Sequence, residues 1–330
     1  MTSPPQALSG SITPMVSARA GSKRVLEDLQ VFGPDGVGKS LSLEQSQHYC
    51  RTLTYAHYEN FSVASLLVPR SLRQHMANIY AYCRWSDDLA DETGDPSRAV
   101  PLLQWWRNQL DACFEDRCSH PVFVALHETI RSYRMEKSLF EGLLEAFEMD
   151  QWKNRYENDA ELLKYCSGSA NPVGRMLLKL ANTQSDEALR LSDSICTGLQ
   201  IANFCQDLSL DARRNRIYLP REHWERFGID EKQILDGRPS GPLVNGLAAW
   251  CLQAQEFLLG GLPMVRLVPR WLARDIQLFA RGGLALLEAI RGAEYDVWTR
   301  SIEVSKSTKI ALLVRAFLFP RSMVLPRKTR

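Results

Sequence analysis

Strand signals are almost missing from this 330-residue chain. There are no alternating Val/Ile/Thr runs and no Asn-Gly hairpin turns, which excludes a sheet-built fold. None of the eight cysteines forms a Cys-x-x-Cys pair, which argues against a zinc ribbon or a thioredoxin-like redox site. Most sit in apolar helical patterns, where a free thiol acts as a small hydrophobe, and a reduced, cytoplasmic setting is expected. No run of 18 apolar residues occurs, so no spanning helix is expected. The opening residues, MTSPPQALSGSITPMVSARA, have neither an early basic cluster nor an apolar core and do not read as a signal peptide. A charge excess is missing too. The net charge of +2 gives no nucleic-acid signature, so nucleic acid is not an expected partner. No repeat of fixed period appears.

What is present is helical period. Residues 1–40 are rich in Ser, Pro and Gly and are read as a disordered leader. Residues 41–330 are read as one all-α domain. Its helices are predicted over 43–57, 64–93, 97–115, 121–133, 137–151, 159–182, 185–211, 241–260, 264–292 and 303–318. Within the leader, GPDGVGKS (Gly33 to Ser40) matches the phosphate-loop pattern. That motif needs a strand feeding the glycine turn and a helix after it. The only strand candidate is the short LQVF, so a nucleotide-binding or scaffold role built on Gly33–Ser40 is the minor alternative.

Two stretches carry the chemistry. In IYAYCRWSDDLADE, Tyr80, Arg84, Asp87 and Asp91 fall within about 60° of helical arc. In QIANFCQDLSLD, Gln200, Asn203, Asp207 and Asp211 likewise share one face. Either could be an ordinary solvated surface. As a pair, they can bring four carboxylates together across a bundle core, where repulsion and desolvation would be severe without a cation. Mg²⁺ prefers carboxylate oxygens and often takes further ligands from substrate phosphates, so a Mg²⁺–diphosphate clamp is expected, with Mn²⁺ as the alternative ion. Arg84, Gln200 and Asn203 would supply donors. Arg213, Arg214 and Arg216 follow within five residues of Asp211 and suit a diphosphate, although a helix end also favours basic residues.

Between the two motifs lies YCSGSANPVGRMLLKL, Tyr165 to Leu180. Its small residues could leave room for a long apolar substrate or could let two helices pack closely. The Asn171-Pro172 pair is expected to kink the helix.

With these residues in view, the chain resembles the squalene and phytoene synthase family from about Leu41 to Val314. The resemblance rests on DDLAD, QIANFCQDLSLD and RRNRIYLP. It implies a single-domain isoprenoid-synthase helical bundle with a central apolar cavity. HYENFSVAS, SANPVGR and NFCQD look like the hydroxysqualene synthase branch, linked to bacterial squalene and hopanoid formation. Gln206 stands where condensing relatives commonly have Arg; Cys205 and Ser62 depart from the branch's usual Trp and Pro. The resemblance implies an isoprenoid diphosphate substrate and conversion of presqualene diphosphate to hydroxysqualene. Head-to-head condensation of two prenyl diphosphates is the alternative. By matching positions, Asp87, Asp91, Asp207 and Asp211 are metal ligands. Tyr80, Arg84, Gln200 and Asn203 surround the diphosphate, with Arg213 and Arg216 nearby. Tyr165 lines the pocket, and Phe61 forms an aromatic wall able to face a carbocation. His57 is read as structural. Other enzymes of squalene formation are candidate partners.

A lipid substrate implies peripheral membrane contact, at the inner face for a cytoplasmic protein. KIALLVRAFLFPRSMVLPRKTR, apolar with a basic end, is the first candidate surface. FLLGGLPMVRLVPRWL is the second, with a core role favoured.

Overall fold

The computed structural model describes residues 22–36, 38, 40–56, 68–91, 93, 96–237 and 239–322. Among these, all regular structure is helical. The helices are α1 (Ser22–Phe32), α2 (Leu43–Ala56), α3 (Arg70–Asp91), α4 (Pro96–Phe114), α5 (Pro121–Tyr133), α6 (Lys137–Met149) and α7 (Asp159–Ser169). They continue as α8 (Asn171–Leu180), α9 (Asp186–Arg213), α10 (Arg221–Phe227), α11 (Glu231–Leu235), α12 (Gly241–Gly261), α13 (Arg270–Gly292) and α14 (Lys306–Leu318), with a 3₁₀ turn at Leu262–Arg266.

Two apolar cores hold the bundle. One gathers α1–α6, with Trp85, Trp106, Tyr82 and Phe123 buried at its centre. The other gathers α7–α13 around Phe204, Tyr218 and Trp250. Leu177 and Trp271 pack against both. The first acidic motif rides on α3, in the first core. The second rides on α9, in the other.

Local sequence explains the elements. In α6, Leu139, Phe140, Leu143, Leu144 and Phe147 are buried at helical spacing. In α9, the Ser185 hydroxyl accepts from the Ala188 amide at 3.2 Å, and Asp186 and Glu187 complement the positive end of the helix. α3 differs: every residue from Met76 to Ala90 is buried. A helix buried all round is a central one, so its charged groups need partners inside the protein.

The structure departs from several expectations. The expected leader contains α1, where Val25 is fully buried and Asp28 accepts from the Tyr49 hydroxyl at 2.6 Å. LQVF, the strand candidate, is the end of this helix. The amides of Gly33, Gly36 and Gly38 already bond to the carbonyls of Leu29, Gly33 and Val31. These three amides are not available to cradle a phosphate, and a helix rather than a strand leads into them, against the nucleotide-loop alternative. The helix predicted over 159–182 breaks outright at Ala170, between α7 and α8. That over 264–292 breaks before Pro269, because proline disfavours helix at the preceding residue. Phe61 and His57 lie outside the described residues.

The small residues near 170 pack helices closely. A Cβ on Gly174 would stand 2.4 Å from Ser192 Oγ and 2.6 Å from Cys196 Sγ. One on Gly168 would stand 2.9 Å from the Gly142 carbonyl oxygen. Of the two readings of these small residues, close helix packing is the one that holds at Gly174 and Gly168. Thr197 donates to the Asn171 side chain at 3.1 Å, which anchors α8 on α9.

Candidate active site

The site begins with Arg84. Its side chain is 3 % exposed, and it pairs within α3 to Asp88 and, at 3.7 Å, to Asp87. Burial works against the guanidinium charge, but Asp88 and Asp87 more than offset this and hold Arg84 above its ordinary range. Asp88, one step off the expected face, is therefore the principal partner of Arg84. Tyr80 is buried one turn earlier, and desolvation keeps its hydroxyl protonated.

The C-terminal end of α9 shapes the opposite wall. The Asp211 carbonyl accepts the amides of Arg214 and Arg216, both at 2.9 Å. Asn215 turns the chain in the left-handed region at φ 58°, which asparagine tolerates. Arg155 clamps that turn, donating to the Asn215 carbonyl at 2.6 Å and to its side chain at 2.8 Å. Two loops are also paired: Ile217 N–H donates to the Asn154 carbonyl at 3.0 Å, and Arg221 N–H to that of Tyr156 at 2.9 Å.

This turn carries two guanidinium groups across to α3. Arg214 Nη1 lies 3.8 Å from Asp91 Oδ2, and Arg216 Nη1 lies 3.8 Å from Asp91 Oδ1. Asp211 joins the same group. Burial and then the charge of Asp207 push its carboxyl up to about 7, with Asp91 adding to the rise and Arg216 and Arg214 opposing it. The second motif and the end of the first therefore meet at one place.

Beneath them lies Asp150, at the C-terminal cap of α6. Tyr165 donates to its Oδ2 at 2.6 Å, and Tyr218 to its Oδ1 at 3.1 Å. Arg216 Nη2 donates to its backbone carbonyl at 3.1 Å. Burial pushes the Asp150 carboxyl up to about 6, while Arg216 and the two phenols restrain the rise. Under this layer, Phe204 and Tyr218 stack with ring centroids 3.8 Å apart.

Of the other expected residues, Asn203 is 7 % exposed and its Nδ2 is buried with no hydrogen-bond partner. Gln200 is half-buried and Arg213 is exposed. The Gln206 Nε2 donates to the Ile302 carbonyl at 2.7 Å, tying α9 to the segment before α14. Asp150 and Tyr218 were not expected, and Asp88 was ranked below Asp87 and Asp91. Asp150 and Tyr218 lie beyond helix ends, where no period marks them. Asp88 lies off the acidic arc of a helix that is buried on every side.

These residues suit a divalent cation and an anionic ligand. Burial, and then repulsion from Asp207, raise the Asp211 carboxyl well above the ordinary carboxylate range. A cation would relieve that repulsion. The orphaned Asn203 amide is the kind of buried donor that a phosphate oxygen satisfies. Among the described residues, the one group of three or more whose ligand atoms lie within 4.8 Å of one another is a different one, Asp159, Glu222 and His223. Its members are already engaged. His223 Nε2 lies 3.1 Å from Asp159 Oδ1, Gln253 donates to Asp159 Oδ2 at 2.8 Å, and Glu222 accepts the Asp159 amide.

The family model described as squalene/phytoene synthase matches residues 54–308. The chain belongs to the squalene/phytoene synthase family. The match covers both acidic motifs and the Arg214–Arg216 turn. A crystal structure of the squalene synthase HpnC from Alicyclobacillus acidocaldarius is 40% identical, with a TM-score of 0.73, covering 77% of this chain and 96% of that one. The phytoene synthase of Arthrospira platensis is 28% identical over 84% of this chain and 94% of its own length. Phytoene synthase 3 of Zea mays is 28% identical over 86% of this chain and 68% of its own. A dehydrosqualene synthase structure, 23% identical with a TM-score of 0.76, covers 83% of this chain and 96% of its own and shares the all-α fold.

Proposed function

We propose that this family member converts presqualene diphosphate to hydroxysqualene with release of diphosphate, in bacterial squalene and hopanoid formation. The observation that carries the reading is the meeting of Asp91 with Asp211, Arg214 and Arg216, with the unpaired Asn203 amide about two turns earlier on α9. Gln206 before Asp207 and the 40% identical relative named a squalene synthase support this branch.

Asp87, Asp91, Asp207 and Asp211 would hold Mg²⁺, which supplies Lewis-acid stabilisation of the leaving diphosphate when bound. Arg214, Arg216 and Asn203 bind diphosphate oxygens and fix their direction. Breaking the carbon–oxygen bond leaves a cyclopropylcarbinyl cation. After rearrangement, water adds to carbon and releases a proton. The rings of Phe204, Tyr165 and Tyr218 exclude bulk water beneath the acids and offer π faces to positive charge. Tyr165 and Tyr218 also hold Asp150, which supports Arg216 from below.

Condensation of two prenyl diphosphates is the competing reading, favoured by the phytoene synthase relatives. Purified protein with Mg²⁺ is incubated with presqualene diphosphate and, separately, with farnesyl diphosphate, and products are identified by mass spectrometry. Hydroxysqualene from presqualene diphosphate is the expected result. No turnover of presqualene diphosphate, with turnover of farnesyl diphosphate, would establish condensation instead.

A further inference from the structure

Most long helices here bury their apolar stripe; α14 turns its own outward. Ala316 is its one buried residue, whereas Ile310, Val314, Phe317 and Leu318 are 62%, 50%, 52% and 57% exposed. Their spacing of four, three and one puts them on a single face. Phe319, 59% exposed, extends the row. Arg321 donates to the Val268 carbonyl at 3.5 Å, which brings the corner carrying the exposed Leu267 alongside. A contiguous apolar face of this kind is normally covered.

Charge identifies what covers it. Four basic residues, Lys306, Lys309, Arg315 and Arg321, and no acidic one lie between Lys306 and Ser322. Arg274, on α13, adds a guanidinium 4.3 Å from the Phe317 ring. A second copy of the chain would bring two such basic faces together, which like-charge repulsion disfavours. An anionic surface complements the face. We propose that α14 and the Leu267 corner dock this protein on a bilayer bearing anionic headgroups. The apolar row enters the boundary with the acyl chains and the basic residues meet the headgroups. The proposal fits a lipid substrate but is tested without turnover, so it stands or falls apart from the reaction.

The full-length protein is sedimented with vesicles of phosphatidylcholine, with or without phosphatidylglycerol. Binding to the anionic vesicles is expected. It should weaken as salt rises from about 0.1 M to about 1 M, which shortens the screening length from about 10 Å to about 3 Å. Val314→Glu with Leu318→Glu should reduce binding about tenfold or more, and Lys306→Gln about fivefold. Far-UV circular dichroism checks that both variants fold. Three results would overturn the proposal. The native protein could fail to bind anionic vesicles, or the folded double variant could bind as the native protein does. Alternatively, sedimentation equilibrium could show a native dimer that the double variant loses, which would assign the face to a second copy.

Discussion

The guanidinium of Arg216 lies 3.8 Å from the carboxylate of Asp91, although α3 packs in one core of the bundle and the turn after α9 in the other. Arg216 also donates to the Asp150 carbonyl at 3.1 Å. It is held charged despite burial by Tyr218, Asp150 and Asp91. That contact joins the first acidic helix to the turn that ends the second.

Asp207→Asn removes a ligand charge and also the like charge that raises Asp211. Turnover should fall by more than the roughly 10–100-fold expected for loss of a supporting residue around a metal. The melting temperature should not fall, because a repulsion has gone. Steady-state kinetics and thermal melts of the same preparation check both parts.

Magnesium affinity should depend on pH. Asp211, with its carboxyl near 7 in the ion-free protein, must lose its proton to coordinate a cation. Binding therefore releases a proton, and apparent affinity should rise as pH increases through about 7. Calorimetric titrations at pH 6 and pH 8 in buffers of different ionisation enthalpy measure both. Equal affinity and no proton release would remove Asp211 from the ligand set.

Tyr165→Phe removes the donor to Asp150 at 2.6 Å. That donor restrains the rise of the Asp150 carboxyl, so its loss pushes the folded-state value above about 6. A carboxyl raised on folding contributes stability below its unfolded value and loses it as pH rises through the folded one. The variant should thus be destabilised more at pH 8 than at pH 5, by about 1–3 kcal/mol at the higher pH. Urea melts at the two pH values give the comparison.

Gly174→Ala should destabilise the protein by about 1–3 kcal/mol, because its methyl group meets Ser192 and Cys196 on α9. Gly174→Ala combined with Ser192→Ala should recover part of that loss. A single variant as stable as the native protein would mean that α8 and α9 can separate at little cost.

The helical spacing of the sequence was enough to group Asp87 with Asp91 and Asp207 with Asp211, because side-chain period survives whatever the helices pack against. It could not show that α3 is buried all round, nor that Asp88, on a neighbouring face, holds Arg84. Arg214 was visible as one of three arginines. Its pairing with Asp91 depends on the left-handed turn at Asn215 and on Arg155, 60 residues away. Asp150 and Tyr218 reach the site through pairing of the 154–157 and 217–222 loops, a long-range register with no local pattern. α1 was missed because its eleven residues lie among Ser, Pro and Gly. α10 and α11, with seven and five residues, are too short for a period to stand out.

The decisive measurement is anomalous diffraction from crystals soaked in Mn²⁺ and diphosphate. Anomalous peaks bounded by Asp87 and Asp91 on one side and by Asp207 and Asp211 on the other are expected, with diphosphate density reaching Arg214, Arg216 and Asn203. Peaks confined to Asp159, Glu222 and His223, with the four aspartates free of metal, would contradict the joint role of α3 and α9.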